Sequence, residues 1–216
     1  MILLIALIFL SYLAGSIPTA IIAGQVTRGI DIRQYGSGNA GATNVFRVMG
    51  WKSALVVVAV DIFKGWFSAA VIAGWTFNGA LGKLPFEDAN LAAILCGAAA
   101  VLGHTYTIFA GFKGGKGVGA LAGMVLHLFP LAVLLGLTVW ILVIILTGYV
   151  SVGSVTAVTL FPLVSYLREG TLINSLGIFS LVIVAFIWFT HRSNVVRLIS
   201  GEEHRFDRAR LFRKSK

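Results

Sequence analysis

The sequence predicts an all-α integral membrane protein, and three observations carry that prediction. Hydrophobic residues fill 58% of the 216 positions and charged residues only 12%, with a mean hydropathy of +0.93, which is too apolar for a water-soluble domain. The apolar residues are gathered into blocks of the length a membrane crossing needs, about 20 helical residues. Apart from Lys64, the basic residues are confined to short intervening stretches and the C-terminal tail, as the positive-inside rule requires. A net charge of +9 therefore argues for membrane topology, and no nucleic-acid partner is expected.

The blocks run roughly from 2 to 26, 52 to 77, 90 to 110, 118 to 148, 151 to 167 and 172 to 190. The first has no charged leader and passes through Gly15 and Pro18 without a convincing cleavage site, so it reads as a mature span. The stretch after it, with Arg28, Arg33, Arg47 and Lys52, is basic, whereas that near Lys83, Glu87 and Asp88 is slightly acidic. The tail after His191 sets eight Lys or Arg against Glu202, Glu203 and Asp207. Basic segments belong inside and the acidic one outside. An outside N-terminus satisfies every sign as far as Lys113 and Lys116, but six single crossings would leave the basic tail outside.

Splitting the fourth block at Pro130 restores parity, because proline disfavours helix at the residue before it and removes a backbone donor. The first piece, Val118 to Leu128, is only ~16 Å long at helical rise, too short to cross hydrocarbon. It is expected to be a short or re-entrant helix buried against protein. The expectation is seven transmembrane or partly spanning helices, N-terminus outside and C-terminus cytoplasmic. They form a single membrane domain over 1–216, with the tail in 191–216. The lone Cys96 lies in an apolar block, which leaves no internal disulfide and no cysteine-based zinc site.

This topology brings three polar stretches to one face. The first, Gly36 to Arg47, reads GSGNAGATNVFR. Its glycines let backbone approach a ligand closely, Ser37, Asn39, Thr43 and Asn44 offer neutral donors, and Arg47 offers a planar cation suited to phosphate or carboxylate. No acid lies between Asp31 and Asp61. Close helix packing explains the glycines of this stretch but not its clustered Asn, Thr and Ser, so anion binding is favoured.

The second stretch ends in GFKGGKG just before the short helix. It is no Walker A loop: Ala110 and Gly117 stand where that motif needs Gly and Ser or Thr. Its physics survives, since backbone N–H groups of Gly114, Gly115 and Gly117 at a helix entrance, with Lys116 beside them, attract phosphate. The third stretch, HRSNVVRLISGEEHRF from His191, places His191, Asn194 and Arg197 at i, i+3 spacing on a helix. A membrane-interface cap explains it about as well. Past Phe206 the sequence has only the signature of a membrane-surface tail. Asp61 and Lys64, i and i+3 in the second block, read as a mutually neutralising pair, and His104 and His127 as interface or packing histidines.

In these three motifs, in this order, the chain resembles the bacterial membrane glycerol-3-phosphate acyltransferases that use acyl phosphate, the PlsY family. The resemblance implies seven helices in the bacterial inner membrane and a site facing the cytoplasm. It implies acyl transfer from acyl phosphate to the 1-hydroxyl of sn-glycerol 3-phosphate, with Ser37, Thr43, Arg47, Lys116, His191 and Asn194 in the substrate site. Thr107 stands where the family often has proline, Gly119-Ala120 replaces a common Ala-Thr, and Ser193 replaces the usual Glu.

No carboxylate occurs between Asp88 and Glu169 or within the first motif. A paired-carboxylate mechanism and a bound metal are therefore not expected, and no cofactor is called for. The H-x-x-x-x-D signature of soluble-type acyltransferases is absent after every histidine. The expected partners are glycerol 3-phosphate, acyl phosphate, membrane lipid and the phosphate acyltransferase that makes the donor. Ser37, Arg47, Lys116 and His191 are the expected catalytic residues; Asn39, Thr43, Asn44, Gly114, Gly115, Gly117 and Asn194 bind substrate. An organic-anion transporter with broken helices is the alternative of a different class.

Overall fold

Residues 2–75 and 88–206 are described by the computed structural model, and among them every regular element is helical. Lys83, Glu87 and the tail from Asp207 onward, used above for topology, lie outside the described residues. The chain divides into two compact units, Met1–Phe129 and Pro130–Lys216. Five helical stretches are long and apolar enough to cross a membrane: Ile2–Arg28, Trp51–Trp75, Asn90–Ala110, Pro130–Thr147 and Val150–Glu169. Ser175–Thr190 with Arg192–Ile199, bent by 55°, makes a sixth candidate, and Val118–Leu128 is a shorter apolar helix.

In the first unit the opening span is broken into α1 (Ile2–Ser16) and α2 (Thr19–Arg28). Pro18 has no N–H and cannot continue the ladder. The carbonyls released by the break need donors in apolar surroundings. The Thr107 hydroxyl donates to the Ser16 oxygen, and the Lys64 ammonium donates to the Ile17 oxygen at 3.1 Å. Lys64 thus does more than neutralise Asp61.

The short helix α3 (Ala42–Met49) follows, with Val45 and Met49 packed among Ala20, Ile32 and Val57. Arg28 Nη1 donates to the Val48 carbonyl at 2.7 Å, satisfying an orphan acceptor at the end of α3. Helix α4 (Trp51–Phe67) runs on through a wide turn at Ser68–Ile72. Helix α5 (Ala89–Thr105) begins at the Asp88 cap, whose carboxylate accepts from the N–H groups of Asn90 and Leu91.

Small residues let these helices meet at backbone distance, the usual substitute for hydrophobic driving force in lipid. Gly15 of α1 faces the backbone of Ala100 in α5. Gly65 of α4 faces the Ala120 carbonyl in α6 (Val118–Leu128), and Gly123 of α6 faces the Ile62 carbonyl in α4.

The second unit starts where proline predicts the break: α6 stops at Leu128 and α7 is Pro130–Thr147. Of the α7 side chains only Ile144 is buried, as befits a helix apolar on all sides and bathed in lipid. The fifth sequence block is two helices, α8 (Val150–Thr159) and α9 (Phe161–Glu169). Trp140 Nε1 donates to Ser154 Oγ at 3.2 Å, joining α7 to α8, and Phe161 meets Phe179 edge-on to join α9 to α10 (Ser175–Thr190). His191 then ends α10 and opens α11 (Arg192–Ile199).

Candidate functional site

The first polar stretch is built around a buried asparagine. Asn44, 1% exposed, accepts from the Ser37 N–H at 2.8 Å and donates to the carbonyls of Ile32 (3.0 Å) and Tyr35 (2.9 Å). One amide thereby fixes both limbs of the loop, and both its N–H donors are spent on backbone. Gly36 has φ +62, and a Cβ there would overlap Asn44 Oδ1, so only glycine fits. Asn44 therefore positions the loop. Around it Ser37, Asn39, Thr43 and Arg47 are half-buried, and Thr43 and Arg47 share a face of α3 at i, i+4 spacing.

The second stretch folds back on the end of α5. The N–H of Gly114 donates to the Thr105 carbonyl at 3.0 Å and that of Gly115 to the His104 carbonyl at 3.1 Å. These two amides shape the loop, which corrects the expectation that both point at a ligand. The amides left for an anion are those of the first turn of α6, after Gly117 at φ +87, because a first turn has no intrahelical acceptors. Half-buried Lys116 stands at that entrance.

The two stretches touch. A Cβ on Gly115 would lie 3.1 Å from the Ala40 carbonyl. Arg33, which the sequence marked only as a topology charge, ties them: Nη1 donates to the carbonyls of Ala110 (2.8 Å) and Lys113 (3.4 Å), while Nε and Nη2 hold Asp31. The Arg33 hydrogen bonds keep the Asp31 carboxyl below its ordinary range, and the bond to Asp31 raises the guanidinium. Asp31, Arg33, Gly38, Gly111, Lys113 and Gly114 border an open depression of about 650 Å³.

Beneath this junction lies a buried ionisable cluster. Asp61 Oδ1 takes Lys64 Nζ at 2.9 Å and Thr19 Oγ1 at 3.2 Å, and lies 3.4 Å from His104 Nδ1. The expected Asp61 and Lys64 pair is present; His104 and Thr19 complete it. Among the described residues no group of three or more His, Cys, Asp or Glu is placed to hold a metal ion.

In the second unit, His191 and Asn194 are both buried. His191 Nδ1 lies 2.9 Å from the Ile187 carbonyl oxygen. A carbonyl can only accept, so the proton sits on Nδ1, and Nε2 is the acceptor of the neutral ring. Asn194 Nδ2 donates to Glu203 Oε1 at 2.7 Å, joined there by Ser151 Oγ at 2.9 Å, while Arg197 Nε donates to Oε2 at 2.9 Å. Burial raises the Glu203 carboxyl, but the bonds from Asn194, Ser151 and Arg197 outweigh it and leave it below its usual value. The sequence marked Glu203 only as an acid of the basic tail, with no role in the site. The available signal was an acid among bases just past a helix carrying Asn and Arg, since a buried carboxylate requires such donors.

Comparison with known proteins bears on this arrangement. The family model described as glycerol-3-phosphate acyltransferase matches residues 5–201. Curated proteins named glycerol-3-phosphate acyltransferase are similar along most of their length. That of Chlorobaculum tepidum is 42% identical over 93% of this chain and 95% of its own, and that of Chlorobaculum parvum is 44% identical with the same coverage. Two crystal structures of PlsY, an integral membrane glycerol 3-phosphate acyltransferase, superpose at 33% identity and cover 94% of this chain and 95% of theirs. The glycerol 3-phosphate form gives a TM-score of 0.81 and the lysophosphatidic acid form 0.78.

Proposed function

The chain belongs to the glycerol-3-phosphate acyltransferase family, and from that premise we propose that it uses acyl phosphate as donor, acylating the 1-hydroxyl of sn-glycerol 3-phosphate in the first step of bacterial phospholipid synthesis. The products are 1-acylglycerol 3-phosphate and inorganic phosphate. The supporting observation is the junction of two glycine-rich, basic loops, Ala40 against Gly115, with Arg33 clasping both. It faces the cytoplasm of the bacterial plasma membrane, where a phosphate acyltransferase delivers the donor.

Arg47, Lys116 and the first-turn amides of α6 bind phosphate. Ser37, Asn39 and Thr43 orient the glycerol hydroxyls, while Asn44, Gly114, Gly115 and Gly117 shape the loops. The family resemblance also gives His191 and Asn194 a substrate role, with the Asn194 amide oriented by its bond to Glu203. The 1-hydroxyl oxygen attacks the acyl carbon, the bond to the phosphate oxygen breaks, and the hydroxyl proton ends on a phosphate oxygen. The mixed anhydride already carries a good leaving group, so positioning and electrostatics supply much of the rate. The Ile187 carbonyl orients His191 through Nδ1, and a phosphate oxygen of bound substrate, already beside the attacking hydroxyl, takes its proton.

The test is purified protein with glycerol 3-phosphate and acyl phosphate, acyl-CoA or acyl-carrier-protein thioester, each with and without chelator. Product with acyl phosphate alone, unchanged by chelator, is expected; turnover of either thioester overturns the donor assignment. His191→Gln is expected to weaken glycerol 3-phosphate binding together with turnover. Abolished turnover with intact binding moves the base role to Nε2.

A further inference from the structure

We propose that His104 is a positioning residue of the reaction, a buried strut between the Asp61 carboxylate and the loop that presents Lys116. The inference rests on the reading above, in which that loop binds substrate phosphate. The His104 side chain is only 6% exposed and its two edges face different things. Nδ1 faces Asp61 Oδ1 at 3.4 Å. The opposite edge faces Gly115, where a Cβ would overlap Nε2 and stand 2.9 Å from Cε1. The backbone of the same residue also carries the loop, since the His104 carbonyl accepts the Gly115 N–H at 3.1 Å. Gly115 is therefore gripped by ring and carbonyl of one histidine, one position before Lys116.

Asp61 is in turn immobilised from several directions. Lys64 Nζ and Thr19 Oγ1 share Oδ1 with the imidazole, and Lys64 reaches on to the Ile17 carbonyl at the α1–α2 break. A Cβ on Gly119 would stand 3.0 Å from Asp61 Cβ, so the first turn of α6 rests on the carboxylate's own stem. The aspartate thus sits where α2, α4, the end of α5 and the start of α6 meet. A buried ring wedged between the Asp61 carboxylate and Gly115 has little room to turn, and Gly115 bears against its far edge. A displacement of that edge moves Lys116 relative to the phosphate, and errors of that scale are costly in positioned catalysis.

Two half-isosteres separate the two edges. His104→Asn places an amide N–H where Nδ1 stands and removes the edge against Gly115; His104→Gln keeps reach toward Gly115 and gives up the 3.4 Å approach to Asp61. Each is expected to raise KM for glycerol 3-phosphate about tenfold with kcat changed less than threefold, while detergent-solubilised variants keep the wild-type melting temperature within a few degrees. Values of KM within twofold of wild type for both overturn the proposal, as does a loss that only tracks the folded fraction. The stability cycle of Gly115→Ala and His104→Ala reads the contact independently of activity. Gly115→Ala is expected to lower the melting temperature much less in the His104→Ala background than in wild type, whereas equal losses overturn the strut. If the wild-type protein acylates nothing while this cycle shows coupling, the functional reading fails and the strut stands.

Discussion

Asn44 and Arg33 each do with one side chain what several loop residues would otherwise have to do. Asn44 meets two carbonyls and one N–H from a fully buried position. Asn44→Asp turns both donors into oxygen facing oxygen, so a loss of about 2 kcal/mol or more is expected, read as a lower melting temperature with loss of acylation. Wild-type stability in Asn44→Asp would contradict the bracing role. Arg33 divides a planar fork between Asp31 and the carbonyls of Ala110 and Lys113. An ammonium cannot do both, so Arg33→Lys is expected to raise KM for glycerol 3-phosphate several-fold in a folded protein.

At the scale of helices, the α4–α6 contact depends on absent side chains. A Cβ on Gly65 or Gly123 would overlap a facing backbone carbonyl, whereas one on Gly136 would meet Ala157 at an ordinary 3.9 Å. Gly65→Ala and Gly123→Ala are therefore expected to prevent stable folding, read by yield and thermal unfolding. Gly136→Ala is expected to be neutral or stabilising by up to about 1 kcal/mol, the helix-propensity difference. Helices α8 and α11 are joined differently, through the Glu203 carboxylate. Its folded value lies below its ordinary 4.5, so the unfolded chain binds the proton first on acidification. The stability it contributes is fully present above that ordinary value and is lost as pH falls through the lower folded value. Glu203→Gln is expected to lower the melting temperature at pH 7 and flatten its decline below pH ~4.5, because the glutamine amide faces the Arg197 donor.

Over the whole chain, orientation is the expectation most open to direct test. With Cys96→Ala as background, Asp88→Cys is expected to react with an impermeant maleimide from outside intact cells and Lys113→Cys only after lysis. The reverse pattern would invert the topology. The sequence determined the membrane class, the all-helical fold, the break at Pro130 and the motifs of the family, because these depend on composition and local spacing. It also singled out the residues around Asn44 and Lys116. Tertiary structure alone decided what each polar group spends its bonds on. It gave the amides of Gly114 and Gly115 to α5, Asn44 to its own loop, an Asn194 N–H to Glu203, and the Ile17 carbonyl to Lys64. In an apolar interior every donor and acceptor must find a partner. That partner is set by which segments fold together, and spacing along the chain carries no record of it.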